Sequence, residues 1–405
     1  MTNTPLEDRV HEALHRRADP IQHSPFTVTD VRRCARRIQR RRAVAAGAVV
    51  AAVLAIAVPV GLAMNGPTPR TDVPPATRTP QVTGPVRIDP RAAEVGAAPG
   101  VPLVVTGESS RLLLDGKEHA LPGGWDQITP YGDGWLATRP ADDQGNRVLE
   151  ILTDTFTVED GAVDSTYFTV SADGTRVAWA EYDGVGEWRI VNSDTAREAE
   201  PVSSALAGTR DASVRTVGFL SSSEVVVAQT DLADGTEATY VATGDTNLEL
   251  TGIVKAVSAS PATGLVAALT SVDGADSCSA VVDGRDSTEP AWETCDHRLG
   301  DFSPDGTHLV GFADVPDGPS PTMSVLDSTT GESIVDFEVT GARDRVVGVA
   351  AAVWEDDQFL LATYVDGNQQ YVVRLGLDGT VERVSGPVVN DDFTLSLHLT
   401  PGAVR

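Results

Sequence analysis

One short apolar strand recurs through most of this chain. It reads GWLATRPA (134–141), TRVAWAEY (175–182), SEVVVAQT (223–230), GLVAALTS (264–271), THLVGFAD (307–314) and QFLLATYV (358–365). Successive copies are 41, 48, 41, 43 and 51 residues apart, the period of a four-stranded propeller blade. Each copy is followed by a second run: RVLEILTD, EWRIVNSD, ATYVATGD, CSAVVDGR, TMSVLDST and QYVVRLGL. A polar turn then leads into a short outer strand, as in DSTTGESIVDF and LGLDGTVERVSG.

Asp-Gly occurs twelve times, always after residue 101, and Asp and Gly tolerate the positive φ angles of tight hairpins. No amphipathic helical stretch interrupts the region, so the fold class is all-β over residues 101–405. Six units are internal. PLVVTG, RLLLDG and KEHALPG (102–123) read as the later strands of a blade that lacks its first, and FTLSLHLT (393–400) supplies that strand. Closing the ring with both termini removes the exposed edges of an open array. Seven blades is the expected count, with six and eight as alternatives.

Upstream, Ala43 to Met64 gives 22 positions without charge, nine of them Ala and six Val, enough to cross about 30 Å of hydrocarbon at ~1.5 Å per residue. Its upstream flank, Arg32 to Arg42, holds seven arginines in eleven residues, and the downstream flank Asn65 to Pro69 holds none. That bias orients the N terminus in the cytoplasm and the repeats outside. A cleaved signal peptide has an apolar core of about 7–15 residues near the start, so an uncleaved transmembrane helix is expected. The basic tail is residues 1–42, with one or two short helices. Residues 65–100, with eight prolines in 36 positions, read as an extended, disordered linker, roughly 110 Å long at ~3.1 Å per residue.

Charge divides at the same place. Residues 1–64 hold ten Arg against five Asp and Glu, a net of +5, and the remainder holds 21 Lys and Arg against 53 Asp and Glu, a net of -32. An outer domain that acidic repels nucleic acid and anionic lipid and attracts cations and basic peptides. Cys34 lies in the tail, whereas Cys278 and Cys295 lie together outside and are a disulfide candidate; closing such a loop is worth about 3 kcal/mol in the chain-entropy model.

FSPDGTHLVGFADVPDGPSPTMSVLDSTTGES (302–333) and TVSADGTRVAWAEYDGVGEWRIVNSDT (169–195) resemble the WD40-like repeat of TolB-type propellers. Ser303, Pro304, Asp305 and Gly306 match the repeat's turn fully; Ser171, Asp173 and Gly174 match it with Ala172 in the proline position. The resemblance covers roughly residues 125–390 and implies that these residues set turn geometry; it carries over no active site. The whole chain is similar to membrane-anchored propeller proteins of high-GC Gram-positive bacteria. Its tail, LEDRVHEALHRRADP with DVRRCARRIQRRR, resembles the cytosolic heads of membrane proteins encoded near sigma factors.

Catalytic, metal and cofactor motifs are mostly declined. His11-Glu12-Ala13-Leu14-His15 spells the zincin motif, but a 42-residue tail offers no third ligand or cleft, and the stretch reads as a short amphipathic helix. No G-x-S-x-G is present, and the acidic runs do not match an EF-hand loop. Trp125, Trp188 and Trp292 fall near loops or outer strands and are candidates for a binding rim. No catalytic or cofactor-binding residue and no metal ligand is assigned, and no enzyme activity is expected. The expected function is an extracytoplasmic binding or sensing module in the cell membrane, with a protein or small-molecule partner on the propeller face. The alternative is an anti-sigma-like regulator whose residues 1–42 hold a cytosolic protein; an extracytoplasmic hydrolase is third, its sign being acidic side chains converging on one mouth of the central channel.

Overall fold

The computed structural model describes residues 82–400, apart from short segments at 108–109, 141–146, 166, 185, 209–211, 245, 274–275, 314–317, 341–345 and 390–394. The tail, the apolar run 43–64 and the zincin-like motif lie outside the described residues. Among the described residues no helix is long and apolar enough to cross a membrane.

The fold is an all-β propeller of seven blades. Blade 1 has Leu397–Leu399 as its inner strand, then Leu103–Val105, Arg111–Leu114 and Lys117–Ala120. Blade 2 runs Gln127–Tyr131, Gly134–Thr138, Arg147–Leu152 and Val158–Ser165, and blade 3 runs Thr169–Val170, Arg176–Tyr182, Glu187–Asp194 and Val202–Ala207. Blade 4 is Ala212–Phe219, Val225–Asp231, Glu237–Ala242 and Asn247–Leu250; blade 5 is Lys255–Ala259, Leu265–Asp273, Asp276–Asp283 and Pro290–Thr294. Blade 6 is His297–Phe302, His308–Ala313, Thr322–Asp327 and Ser333–Val339; blade 7 is Val347–Trp354, Phe359–Asp366, Gln369–Gly376 and Val381–Val389. The six recurring apolar strands of the sequence are the second strands of blades 2 to 7. The C-terminal strand closes blade 1 antiparallel to the second strand, pairing Leu103 with Leu399 and Val105 with Leu397.

Seven buried apolar clusters hold the ring together, one at each interface between neighbouring blades. Leu136, Leu149, Val177 and Trp179 join blades 2 and 3, and Ala267, Val281, Leu299 and Leu309 join blades 5 and 6. The ring shuts where Val101, Leu103 and Leu397 of blade 1 meet Val353, Leu361 and Val372 of blade 7. Second and third strands are apolar on both faces because both faces meet a neighbouring blade, which is why they dominate the sequence pattern.

Cys278 of the third strand of blade 5 is bonded to Cys295 just past the outer strand, with Cα atoms 4.1 Å apart. The bond ties together two strands already paired at Ser279 and Thr294.

Residues 82–100 depart from the free linker expected there. Val86–Ile88 pairs in parallel with the outer strand of blade 6, and Glu94–Val95 with that of blade 7, so described residues well before 101 belong to the propeller's sheets. Ile88 is fully buried in the cluster between those blades, and an outer strand's unpaired N–H and C=O groups are satisfied by the added strand. Arg91 then reaches Asp366 at 2.7 Å and Gln369 at 2.9 Å. Proline density signalled extended chain, and extended chain is what a sheet edge recruits.

Candidate functional site

The inner strands of blades 4 to 7 each carry a register shift against their second strand: at Thr216/Gly218, Ala256/Ser258, Leu299/Phe302 and Val349/Ala351. A bulge inserts one residue and re-aims its neighbours. Here the bulges turn Val217, Val257 and Asp301 onto the wall of the central channel, where they join Arg215, Ser258, Trp354 and Glu355 around a cavity of about 260 Å³.

The channel opens between the turns that join inner to second strands. Its mouth holds about 470 Å³, and its lining includes Asp173, Arg176, Phe219, Pro261, Asp305 and Asp357. The turn motif explains the geometry. Ser171 Oγ donates to Asp173 Oδ1 at 2.6 Å and accepts from the Arg176 N–H at 2.9 Å. Ser303 does the same with Asp305 at 2.6 Å and the His308 N–H at 3.0 Å. Gly174 and Gly306 sit at φ 68° and 74°, where a Cβ is strained. Burial works to raise the Asp173 and Asp305 carboxyls, but the serine hydroxyls and the N–H and hydroxyl of the following threonine outweigh it. Both lie below the ordinary carboxylate range and stay ionised. Asp357 Oδ1 accepts the Asp305 N–H at 2.8 Å, bringing a third carboxylate to the same lip.

The motif residues thus set the turns, and the ring gathers those turns around one opening. The tryptophan rim does not form. Trp125 is 2% exposed and donates to Glu150 Oε2 at 2.6 Å, and Trp188 is 6% exposed in the cluster between blades 3 and 4. Trp292 is half-buried, its indole N–H on the Ser328 carbonyl at 2.8 Å and its ring over Gly331. Each fills a groove between or beside blades, where a large ring with one N–H finds apolar surface and an acceptor together.

Deeper in, the channel carboxyls have different environments. Glu355 is committed: Arg374 binds both its oxygens, and the Gly100 N–H donates to it at 2.5 Å. Burial pushes the Asp301 carboxyl up to about 6, against the Ser258 hydroxyl and the Arg215 charge, which pull it down. Its backbone carbonyl accepts the Trp354 indole N–H at 2.9 Å. Sequence reasoning missed Arg215 and Asp301; the signal was the lone charge of ASVRTVGF in blade 4 and an acid set between Gly300 and Phe302 in blade 6.

An acid raised in the fold binds its proton more tightly folded than unfolded. Its favourable contribution is therefore full below its ordinary value of 3.8 and is lost as pH rises toward about 6. Asp301→Asn removes that loss, and because channel water screens the group it should stabilise the protein by only about 1–2 kcal/mol at pH 7.5. Thermal melts should show the gain at pH 7.5 and none near pH 4.

No known family model matches the chain, and no curated protein is similar to it in sequence. Solved structures with a similar fold include TolB from Acinetobacter baumannii, 11% identical over 74% of this chain and 81% of that one, with a TM-score of 0.40. The β-propeller domain of the Trilobed protease from Pyrococcus furiosus is 12% identical over 65% and 86%, with a TM-score of 0.42. Prolyl oligopeptidase B from Galerina marginata is 9% identical over 71% of this chain and 48% of its own length, with a TM-score of 0.46. At these identities the likeness is one of fold, shared by a TolB and by proteases alike.

Proposed function

We propose that this chain is a membrane-tethered binding and sensing module that displays its propeller outside the cell and takes a cation-bearing segment of a partner at the turn-side mouth of its channel. One observation carries the reading: Asp173, Asp305 and Asp357 converge on a mouth whose one lining cation, Arg176, is engaged with Asn192 Oδ1, the rest of the lip being Ser, Thr, Pro and Ala with Phe219. The field of a domain carrying -32 outside the apolar run draws such a segment in. Residues 43–64 tether the module, and the arginines before them set its orientation. Hydrolysis by paired carboxyls is less well supported, because Glu355 is held on both oxygens by Arg374 and does not face Asp301 as a free acid–base partner.

The test uses the full chain in lipid nanodiscs and a fluorescent hexa-arginine peptide, followed by anisotropy. Asn keeps the acceptor oxygen each turn needs, so Asp173→Asn, Asp305→Asn and Asp357→Asn together should leave the fold intact. Three partly screened charge contacts at about 0.5–1 kcal/mol each predict roughly 10- to 100-fold weaker binding. A control lacking three exposed carboxylates elsewhere (Glu118→Gln, Glu249→Gln, Glu338→Gln) should change affinity about twofold or less. Equal weakening by both sets would sink the proposal.

A further inference from the structure

Inside the channel, beyond the mouth, two opposite charges face the same cavity without meeting. The Arg215 guanidinium, borne on the bulged inner strand of blade 4, makes no hydrogen bond or ion pair among the described residues, although it lines the cavity. The Asp301 carboxyl, placed by the bulge in blade 6, lines the same cavity close enough to feel the Arg215 charge, yet no ion pair within 4.0 Å joins them. Ser258, itself 4% exposed, sets its hydroxyl against Asp301. The same wall carries Val217 and Val257 from the bulges and Trp354, whose ring is pinned to the bulge by its indole N–H, beside Thr216, Ser260 and the Glu355 that Arg374 holds.

We propose that this cavity is a binding site for a free α-amino acid, with its ammonium on Asp301, its carboxylate on Arg215 and a modest apolar side chain against Val217, Val257 and Trp354. The chemistry selects this class over its neighbours. A lone cation leaves the Arg215 charge unpaired, and a lone anion leaves Asp301 unpaired and must enter against the field of a strongly acidic domain. A zwitterion answers both charges, carries no net charge through the mouth, and lets the guanidinium bind a carboxylate in the forked geometry it favours. Size agrees. At ~30 Å³ per water-sized group, about 260 Å³ holds roughly nine non-hydrogen atoms, the scale of a mid-sized amino acid and too small for an extended peptide. Bulged inner strands also make sense on this reading, because a regular strand would leave Asp301 off the channel wall.

The full chain in nanodiscs should be titrated calorimetrically with each common free L-amino acid in turn, then with the N-acetyl and carboxamide forms of the best binder. At least one free amino acid with an apolar side chain should bind, and each blocked form should bind at least tenfold more weakly. Arg215→Gln should abolish the preference for a free carboxylate over the carboxamide, and Asp301→Asn the preference for a free amine over the N-acetyl form. Asp301→Asn is expected to be at least as stable as the parent at neutral pH, so its effect cannot come from unfolding. No binding by any free amino acid at millimolar concentration, equal binding of the blocked forms, or two variants that keep both preferences would each overturn the proposal.

Discussion

A chain ending at Leu395 will not form the closed ring. Removing Ser396 onward takes away the inner strand of blade 1, and that strand holds three blades together. Leu397 is 1% exposed at the junction of blades 1 and 7, and burying such a side chain is worth about 1.5–3 kcal/mol. The Thr106 N–H donates to the Ser396 carbonyl at 2.9 Å, and the Thr400 N–H to that of Pro102 at 3.0 Å. The Ser396 N–H reaches Gln370 Oε1 of blade 7 at 2.8 Å, while the Ile128 N–H of blade 2 reaches Thr400 Oγ1 at 3.2 Å. With these bonds at about 1 kcal/mol each, the loss comes to about 5 kcal/mol or more, comparable with the whole stability of many domains. The truncated protein should unfold without a single cooperative transition in calorimetry and should bind a hydrophobic dye at ambient temperature. A sharp melt within a few degrees of the parent would show that the ring closes some other way.

Replacing Arg374 by Met should cost about 3–5 kcal/mol, because it strips a buried carboxylate of its partner. Arg374 and Glu355 are 10% and 11% exposed, joined at 2.5 and 2.9 Å. The same guanidinium reaches Glu382 at 3.0 Å, the Ala97 carbonyl at 3.3 Å and the Ala98 carbonyl at 3.1 Å. One side chain therefore fastens the segment that approaches blade 1 to the first turn and the outer strand of blade 7. Glu382 is a third exposed, so most of the cost falls on Glu355. Urea unfolding should show a lower midpoint for Arg374→Met, and adding Glu355→Gln and Glu382→Gln should recover at least half the loss by removing the stranded charges. A single-variant cost below about 1 kcal/mol would mean that the carboxylates are solvated and the clamp is incidental.

How much of this was legible depended on where each strand lies in its blade. Second and third strands such as TRVAWAEY and QYVVRLGL are sandwiched between neighbours, so they read as unbroken apolar runs, and their spacing gave the ring. Inner strands were harder. KAVSA and the run from Ala212 to Phe219 are rich in small residues, and a bulge breaks the two-residue alternation by which strands are recognised. Arg215 sits in the second of these and Asp301 in the equally bulged inner strand of blade 6, so the cavity escaped with them. The turn motif was readable residue by residue, but its gathering into a mouth is a property of the closed ring and not of any one repeat. The tryptophans misled because position near a loop says nothing of the groove between blades that a large ring fills. The alternating Val86-Arg87-Ile88, by contrast, was a strand signal masked by the prolines around it.

Hydrogen–deuterium exchange on the full chain in nanodiscs, with and without saturating hexa-arginine peptide, tests the site most directly. Protection should concentrate in the turns at 171–175, 221–224, 260–264, 303–307 and 355–358, which ring the mouth. Protection confined to the opposite hairpins, such as 231–237 and 366–369, or spread evenly over the acidic surface, would contradict the placement of the binding site at the channel mouth.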